Sequence, residues 1–252
     1  MLEALRAGRR QLQEVWIDSG REDGRAREIL DLAAERGIPV ARPHRSRIDR
    51  VVPGGVHQGV VAFAGPLPQP PAEEVLAGLG PSPLLLVLDG VEDPRNLGSL
   101  LRTAAAAGAD AVLLPARRSA PLSPVAARAS AGGSERIRVG RCGNVAGLLR
   151  DLRGRGIRTV GLDPGAGRIW SEVDYRPATA LVLGGEGRGL RPLVRRELEE
   201  SVRIPMQSGL QSLNVAVAAA VVLFEAVRQR RVPPAAGRGP AEKPLAGKMP
   251  FW

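Results

Sequence analysis

The amino-acid sequence predicts an α/β fold: a parallel sheet with helices on both faces, joined to a small N-terminal α/β domain. Three observations predict it. From Leu84 onward, short unbroken apolar runs alternate with helical stretches, the pattern of strands buried on both sides of a parallel sheet. Prolines crowd the segment before that region and set residues 1–65 apart. The 252 residues are 44% apolar but only 3% aromatic, enough for one large domain or two modest ones with a core of Leu, Val, Ile and Ala.

Taken in order, Val15-Trp16-Ile17 reads as a short strand. The spacing of Ile29, Leu30, Leu32 and Ala33 predicts a helix over 26–36, stopped by Gly37. Further strands are expected at 38–40 and 59–63. Between them Arg42, Arg45, Arg47 and Arg50 surround His44, as a phosphate-contacting loop or as a solvated face. Residues 66–83 carry Pro66, Pro68, Pro70, Pro71, Pro81 and Pro83 around a short helix at 72–79, which reads as a linker with some stiffness.

The domain spanning 84–230 is expected to place strands at 84–88, 111–114, 137–139, 159–162, 180–183 and 202–204. Helices are expected at 97–107, 123–129, 145–153, 190–197 and 212–229. The last is so rich in Ala and Val that it must be buried nearly all round. Residues 231–252, basic and rich in Pro and Gly, are expected to be disordered.

Three segments of this domain couple a strand to a polar turn and then a helix, which sets chemistry at a sheet edge. The first is Leu-Asp-Gly-Val-Glu-Asp-Pro-Arg-Asn-Leu-Gly-Ser-Leu-Leu-Arg-Thr-Ala, Leu88 to Ala104. Here Asn96 is a plausible N-cap, and Arg102 sits among Leu, Thr and Ala as either a solvated residue or a phosphate-reading group. The second is Leu-Val-Leu-Gly-Gly-Glu-Gly-Arg-Gly-Leu, Leu181 to Leu190. Its glycines allow close approach to the backbone, yet neither Gly-x-Gly-x-x-Gly nor Gly-Lys-Ser/Thr is present, so no nucleotide fingerprint is read. The turn is structural or it is a site, and Glu186, which has no helical or core reason to stand there, tilts the reading to a site. The third is Ile-Pro-Met-Gln-Ser-Gly-Leu-Gln-Ser-Leu-Asn-Val-Ala-Val-Ala, Ile204 to Ala218. Ser212 is either the N-cap of the apolar helix or part of a site, with Asn214 in the first turn beside the free donors of the helix end.

Composition limits the function classes. The formal charge is +10 and only Lys243 and Lys248 are lysines, so the excess is arginine, from a polyanionic partner or from coding bias. A single cysteine, Cys142, excludes an internal disulfide and a cysteine-based metal site, and His44 and His57 are too far apart for a helical metal pair. No stretch approaches the roughly 20 apolar residues that span a bilayer. The opening Met-Leu-Glu-Ala-Leu-Arg does not read as a signal peptide, so a soluble, cytoplasmic protein is expected.

In this order and spacing the three motifs resemble the SpoU (TrmH-type) branch of the SPOUT RNA methyltransferases, over residues 84–230. Gln13 to Asp23 and Val56-His57-Gln58-Gly59-Val60-Val61-Ala62 look like the substrate-binding domain of its 23S rRNA guanosine-2′-O-methyltransferase subgroup, which is similar to an RNA-binding ribosomal-protein fold. The resemblance implies methyl transfer from S-adenosylmethionine to the ribose 2′-hydroxyl of a guanosine in 23S rRNA. The same chemistry on tRNA or another rRNA site, or a non-catalytic RNA-binding protein, are the alternatives. It also implies a trefoil knot, a homodimer and no metal. By resemblance, the cofactor is held by the backbones of Gly184, Ile204 and Leu213, and Asn96, Arg102, Glu186, Ser212 and Asn214 form the polar catalytic surface. Arg42, Arg45, Arg47 and His57 are expected to contact RNA. Family mechanisms often make the arginine the general base. A guanidinium stays protonated, so Arg102 is expected instead to grip the adjacent phosphate and orient the hydroxyl. The family's usual Gly-x-x-Ala-Val opening is missing before Leu2, so a first strand or helix turn is expected to be absent or the start assigned late.

Overall fold

The computed structural model describes residues 1–207 and 212–231. Residues 208–211 of the third motif, and residues 232–252 of the tail expected to be disordered, lie outside the described residues.

The N-terminal unit comprises α1 (Leu2–Ala7), β1 (Leu12–Ile17), α2 (Gly24–Glu35), β2 (Val40–Ala41), α3 (Arg45–Val51) and β3 (Val60–Ala64). Its sheet has the order β2-β1-β3, with β1 parallel to β2 and antiparallel to β3. Asp23 starts α2 by accepting from the N–H groups of Arg25 and Ala26 at 2.9 and 3.1 Å. Leu5, Val15, Ile17, Ala26, Ile29 and Ala33 form its core. An opening helix packs the fully buried Leu5 against α2. One element corrects the sequence reading: from Arg45 on, the basic stretch read as a phosphate-contacting loop or a solvated face is the helix α3, exposed around its one buried anchor, Ile48, which gives no apolar period to detect.

The remainder contains α4 (Ala72–Ala77), β4 (Leu84–Asp89), α5 (Pro94–Ala106), β5 (Ala111–Pro115), α6 (Pro124–Ala129), α7 (Gly133–Arg136) and β6 (Arg138–Cys142). There follow α8 (Val145–Gly154), β7 (Arg158–Leu162), β8 (Arg168–Ile169), β9 (Thr179–Gly184), α9 (Pro192–Glu197), β10 (Glu200–Arg203) and α10 (Val215–Arg231). The seven strands pair in parallel in the order β6-β5-β4-β9-β7-β10-β8. Alternation along β4 divides the core. Leu84, Leu86 and Leu88 join α5 and α10 on one face, while Leu85 and Val87 join α4, α8 and α9 on the other. The expected strands and helices stand within a few residues of these bounds; α7 and the two-residue β8 were not expected.

The proline-rich stretch is more than a spacer. Ala72, Val75 and Leu76 are buried in the second core cluster, and the Arg141 N–H donates to the Pro70 carbonyl at 2.9 Å. The N-terminal unit docks on α7 through ion pairs of Arg10 with Glu135 and of Glu3 with Arg136. α10 is not buried all round as expected, since Val217 and Phe224 are about half exposed (50% and 48%). Its far end is tied to the base of the sheet by Arg230, which donates to the carbonyls of Tyr175, Ser82, Pro83 and Pro177. No helix among the described residues is long and apolar enough to cross a membrane.

Candidate active site

Parallel strands bring the turns after β4, β9, β7 and β10 to one edge of the sheet. After β4 the chain turns through Gly90 to Asp93, and it is Asp93, not Asn96, that caps α5, accepting from the Arg95 N–H at 2.8 Å. Pro94 at the first helical position fixes the cap one residue before it. Asn96 therefore lies inside the first turn with its side chain released from capping. Its amide nitrogen donates to Glu186 in the glycine-rich turn. Its amide oxygen accepts from Asn214 Nδ2 at 3.0 Å. An ionised carboxylate only accepts, which sets the orientation of the Asn96 amide.

Asn214 is also the residue that starts α10. Its Oδ1 accepts from the Ala216 N–H and its carbonyl from the Ala218 N–H, both at 2.9 Å. The cap read at Ser212 thus belongs to Asn214, and Ser212 stands exposed ahead of the helix. One asparagine caps the start of a helix and holds Asn96, so a single chain of hydrogen bonds ties the three motifs together.

The glycine-rich turn is built by backbone contact. A Cβ on Gly184 would lie 2.0 Å from the Gly189 carbonyl carbon, and one on Gly185 would lie 1.8 Å from the Gly90 carbonyl oxygen. The Gly185 N–H donates to the Asp89 carbonyl at 2.8 Å. The turn is locked from beneath by Asp89, whose buried carboxylate accepts from the Arg191 N–H at 2.9 Å and from Arg191 Nε at 2.6 Å. This strut between the ends of the first two motifs had no local signal in the sequence.

A cavity of about 630 Å³ opens at this edge, lined by Gly184, Glu186, Ile204, Ser212, Leu213 and Asn214 of the expected residues. Asp163, Arg203 and Met206 share the wall and were not singled out. Asp163, nearly buried at the end of β7, accepts from the Gly165 N–H at 2.9 Å and pairs with Arg195 at 2.8 Å.

The remaining expected residues lie elsewhere. Arg102, on the same helix as Asn96, is exposed and does not line the cavity. In the N-terminal unit, Arg42 donates to the carbonyls of Ser19 and Arg21 at 3.2 and 2.7 Å, closing the turn after β1. Arg47 stacks on the Trp16 ring at 4.8 Å, and Arg45 is exposed. The His57 side chain is only 6% exposed, with Nε2 on Asp49 at 2.7 Å and Nδ1 accepting from the Gly59 N–H at 3.1 Å. Both its nitrogens are engaged within the unit. Among the described residues, no three His, Cys, Asp or Glu side chains gather as a metal site.

Residues 83–224 match the SpoU rRNA Methylase family, and residues 1–70 match the family described as RNA 2′-O ribose methyltransferase substrate binding. The 23S rRNA (guanosine-2′-O-)-methyltransferase RlmB of Pseudomonas putida is 42% identical, over 88% of this chain and 91% of its own. An uncharacterized tRNA/rRNA methyltransferase of Mycobacterium tuberculosis is 41% identical, over 92% of this chain and 73% of its own. Among solved structures, the SpoU methyltransferase AviRb of Streptomyces viridochromogenes, in complex with AdoMet, aligns at a TM-score of 0.76 and 25% identity. That alignment covers 90% of this chain and 86% of AviRb. An AdoMet-bound rRNA methyltransferase of Sinorhizobium meliloti aligns at 0.76 and 27% identity, covering 90% and 83%.

Proposed function

Because the chain belongs to the SpoU rRNA methylase family, we propose that it methylates the ribose 2′-hydroxyl of a guanosine in 23S rRNA with S-adenosylmethionine as donor. The observation that carries this reading is the Glu186–Asn96–Asn214 chain of hydrogen bonds at the cavity edge. Such an arrangement holds polar groups in fixed places, where orientation alone contributes much of a rate.

The residues present fit the cofactor. The cavity has the size of a small-molecule site, and Leu183, Val202, Met206 and Leu213 offer an apolar wall to a purine. The carboxylates of Glu186 and Asp163 on the same wall complement a cation. Gly184, Ile204 and Leu213 would hold the cofactor through their backbones, and when bound it supplies an electrophilic methyl group. Arg102, permanently protonated, grips the phosphate beside the target ribose and orients the hydroxyl, whose proton leaves to a phosphate oxygen or water. Asn96 and Asn214 keep Glu186 and the helix end in register, and Ser212 faces the cavity as a polar contact for the nucleotide. In the N-terminal unit Arg45 and Arg47 touch RNA, while Arg42 and His57 shape the loops that present them.

We read residues 1–65 as the RNA-binding domain, 66–83 as the connection, 84–230 as the catalytic domain and 231–252 as a tail. The half-exposed Val217 and Phe224, seven residues apart on one side of α10, support a homodimer that covers them. A trefoil knot is consistent with a chain that leaves β10 and returns to pack α10 against α5 and β9. A cytoplasmic location follows from a ribosomal RNA substrate.

The test is incubation with S-adenosylmethionine and either 23S rRNA or tRNA, followed by digestion to nucleosides and mass analysis. The expected product is 2′-O-methylguanosine from 23S rRNA. Its appearance from tRNA alone would move the substrate, and its absence from both would overturn the reading.

A further inference from the structure

Most surface arginines of this chain are paired: Arg150 with Glu197 at 2.7 Å, Arg155 with Asp151 at 3.1 Å, Arg176 with Asp174 at 2.8 Å. Others are not, Arg25, Arg27, Arg188 and Arg196 among them, and five of the unpaired ones stand around α5 and α6. Arg95, Arg102, Arg117, Arg118 and Arg128 have no acidic or carbonyl partner for their guanidinium groups among the described residues.

They lie along one seam. Arg95 and Arg102, seven residues apart on α5, share a face, with Gly98 between them on the same stripe. A Cβ on Gly98 would stand 2.5 Å from the Ala126 carbonyl oxygen, so α6 crosses α5 there backbone to backbone. A Cβ on Gly133 would stand 2.7 Å from the Arg102 Cα, so α7 covers the next turn. With the backbones that close, Arg95 and Arg102 flank the crossing on α5, and Arg128 stands on α6 two residues after Ala126. Arg128 in turn reaches the N-terminal unit, with its Nη2 3.6 Å from where a Gly55 Cβ would be.

The loop between β5 and α6 adds Arg117 and Arg118, the latter in the left-handed region at φ 58°. This loop is braced. Arg141 Nη1 donates to the Pro115 carbonyl at 2.8 Å and to Ser119 Oγ at 2.5 Å, and the Ala120 N–H donates to the Val91 carbonyl at 2.8 Å. The last bond joins the loop to the turn that precedes Asn96.

We propose that this seam is a phosphate track, on which Arg95, Arg117, Arg118 and Arg128 hold the RNA backbone between the N-terminal unit and Arg102. The proposal rests on the reading of the protein as an RNA methyltransferase and names the surface that delivers its substrate. Arginine forks suit phosphate oxygens, and no aromatic side chain stands on α5, on α6 or in the loop between β5 and α6 to stack on a base. The track therefore positions RNA without reading its sequence.

The test is filter binding of full-length 23S rRNA transcript over a KCl series, without methyl donor. Each lost phosphate contact should flatten the slope of log K against log salt by about 0.7–0.9, so Arg117→Gln with Arg118→Gln should flatten it by about 1.4–1.8. Arg95→Gln with Arg128→Gln should do the same. Arg150→Gln with Arg155→Gln, an equal charge change on α8 and at its C-cap across the sheet, should leave the slope unchanged. An unchanged slope in the seam variants, or equal flattening in the α8 variant, overturns the track. Methyl transfer by the unaltered protein is measured separately. A protein that binds through the seam without methylating keeps the track and loses the enzyme reading. One that methylates with unaltered slopes does the reverse.

Discussion

Replacing Arg191 by alanine tests the strut that joins the first two motifs. The Asp89 side chain is fully buried and accepts two hydrogen bonds from Arg191, one from its backbone N–H and one from Nε, with Nη2 completing the ion pair. Arg191→Ala deletes the charge-assisted bond and the ion pair and leaves a buried carboxylate with the backbone N–H at that position as its donor. Removing one partner of a buried pair costs about 3–5 kcal/mol. The Arg191 side chain is 36% exposed, so water already screens the pair and can enter the vacated space, which brings the expected loss to about 2–3 kcal/mol. The isosteric Asp89→Asn removes the charge instead, and its oxygen still accepts from the Arg191 N–H while the guanidinium turns to water. That loss should be about 1–2 kcal/mol. Urea denaturation followed by circular dichroism, with midpoints compared at equal slope, measures both. Amide hydrogen exchange at Gly185 and Gly189 should quicken in both variants, because the turn rests on the strut. Arg191→Ala within about 0.5 kcal/mol of the unaltered protein, or Asp89→Asn costing more than Arg191→Ala, would refute this reasoning.

Asn96→Ala should lower methyl transfer by about 100-fold while the melting temperature stays within a few degrees, because it cuts the link between Glu186 and Asn214 without opening the core; initial rates and a thermal melt read the two effects. Gly185→Ala forces a methyl group onto the Gly90 carbonyl and should cost roughly 2–3 kcal/mol, a fall of about 4–12 °C in Tm by calorimetry. Burial pushes the Cys142 thiol up from 9.0 to about 11, which keeps it protonated and unreactive. A thiol reagent at pH 8 should therefore label the denatured chain and spare the folded one. Since the folded value is the higher, Cys142 contributes stability that is full below pH 9.0 and lost as pH rises through about 11. A urea midpoint that does not fall across that window more than in Cys142→Ala would contradict the assignment.

The catalytic half was the more legible part of the sequence, for a physical reason. Strands such as Leu84–Asp89 and Thr179–Gly184 are buried on both faces and read as continuous apolar runs, and helices such as Val145–Gly154 keep a clear apolar stripe. Where burial depends on one anchor, as for Ile48 in α3, the pattern falls silent. Asn96 and Ser212 each offer a cap in the sequence, because Asn and Ser are good caps wherever they stand, yet Asp93 and Asn214 take those roles. At α5 the signal was available, since a proline at the first helical position names Asp93 as the cap. At α10 Ser212 and Asn214 compete on equal local terms, and only the contact with Asn96 shows which residue serves both purposes. The Asp89–Arg191 strut spans 102 residues of sequence and the Asp163 wall comes from a different strand, so neither leaves a local trace. Alanine and valine in α10 promised complete burial, yet the fold covers one side and leaves Val217 and Phe224 to another surface.

The most direct measurement is single-turnover methyl transfer to 23S rRNA by the unaltered protein and by Arg102→Ala, with the modified position mapped by mass spectrometry. The account predicts one new methyl group on a guanosine 2′-oxygen, lost or slowed at least about 100-fold in the variant. A methyl group on a base, or equal transfer by Arg102→Ala, would contradict it.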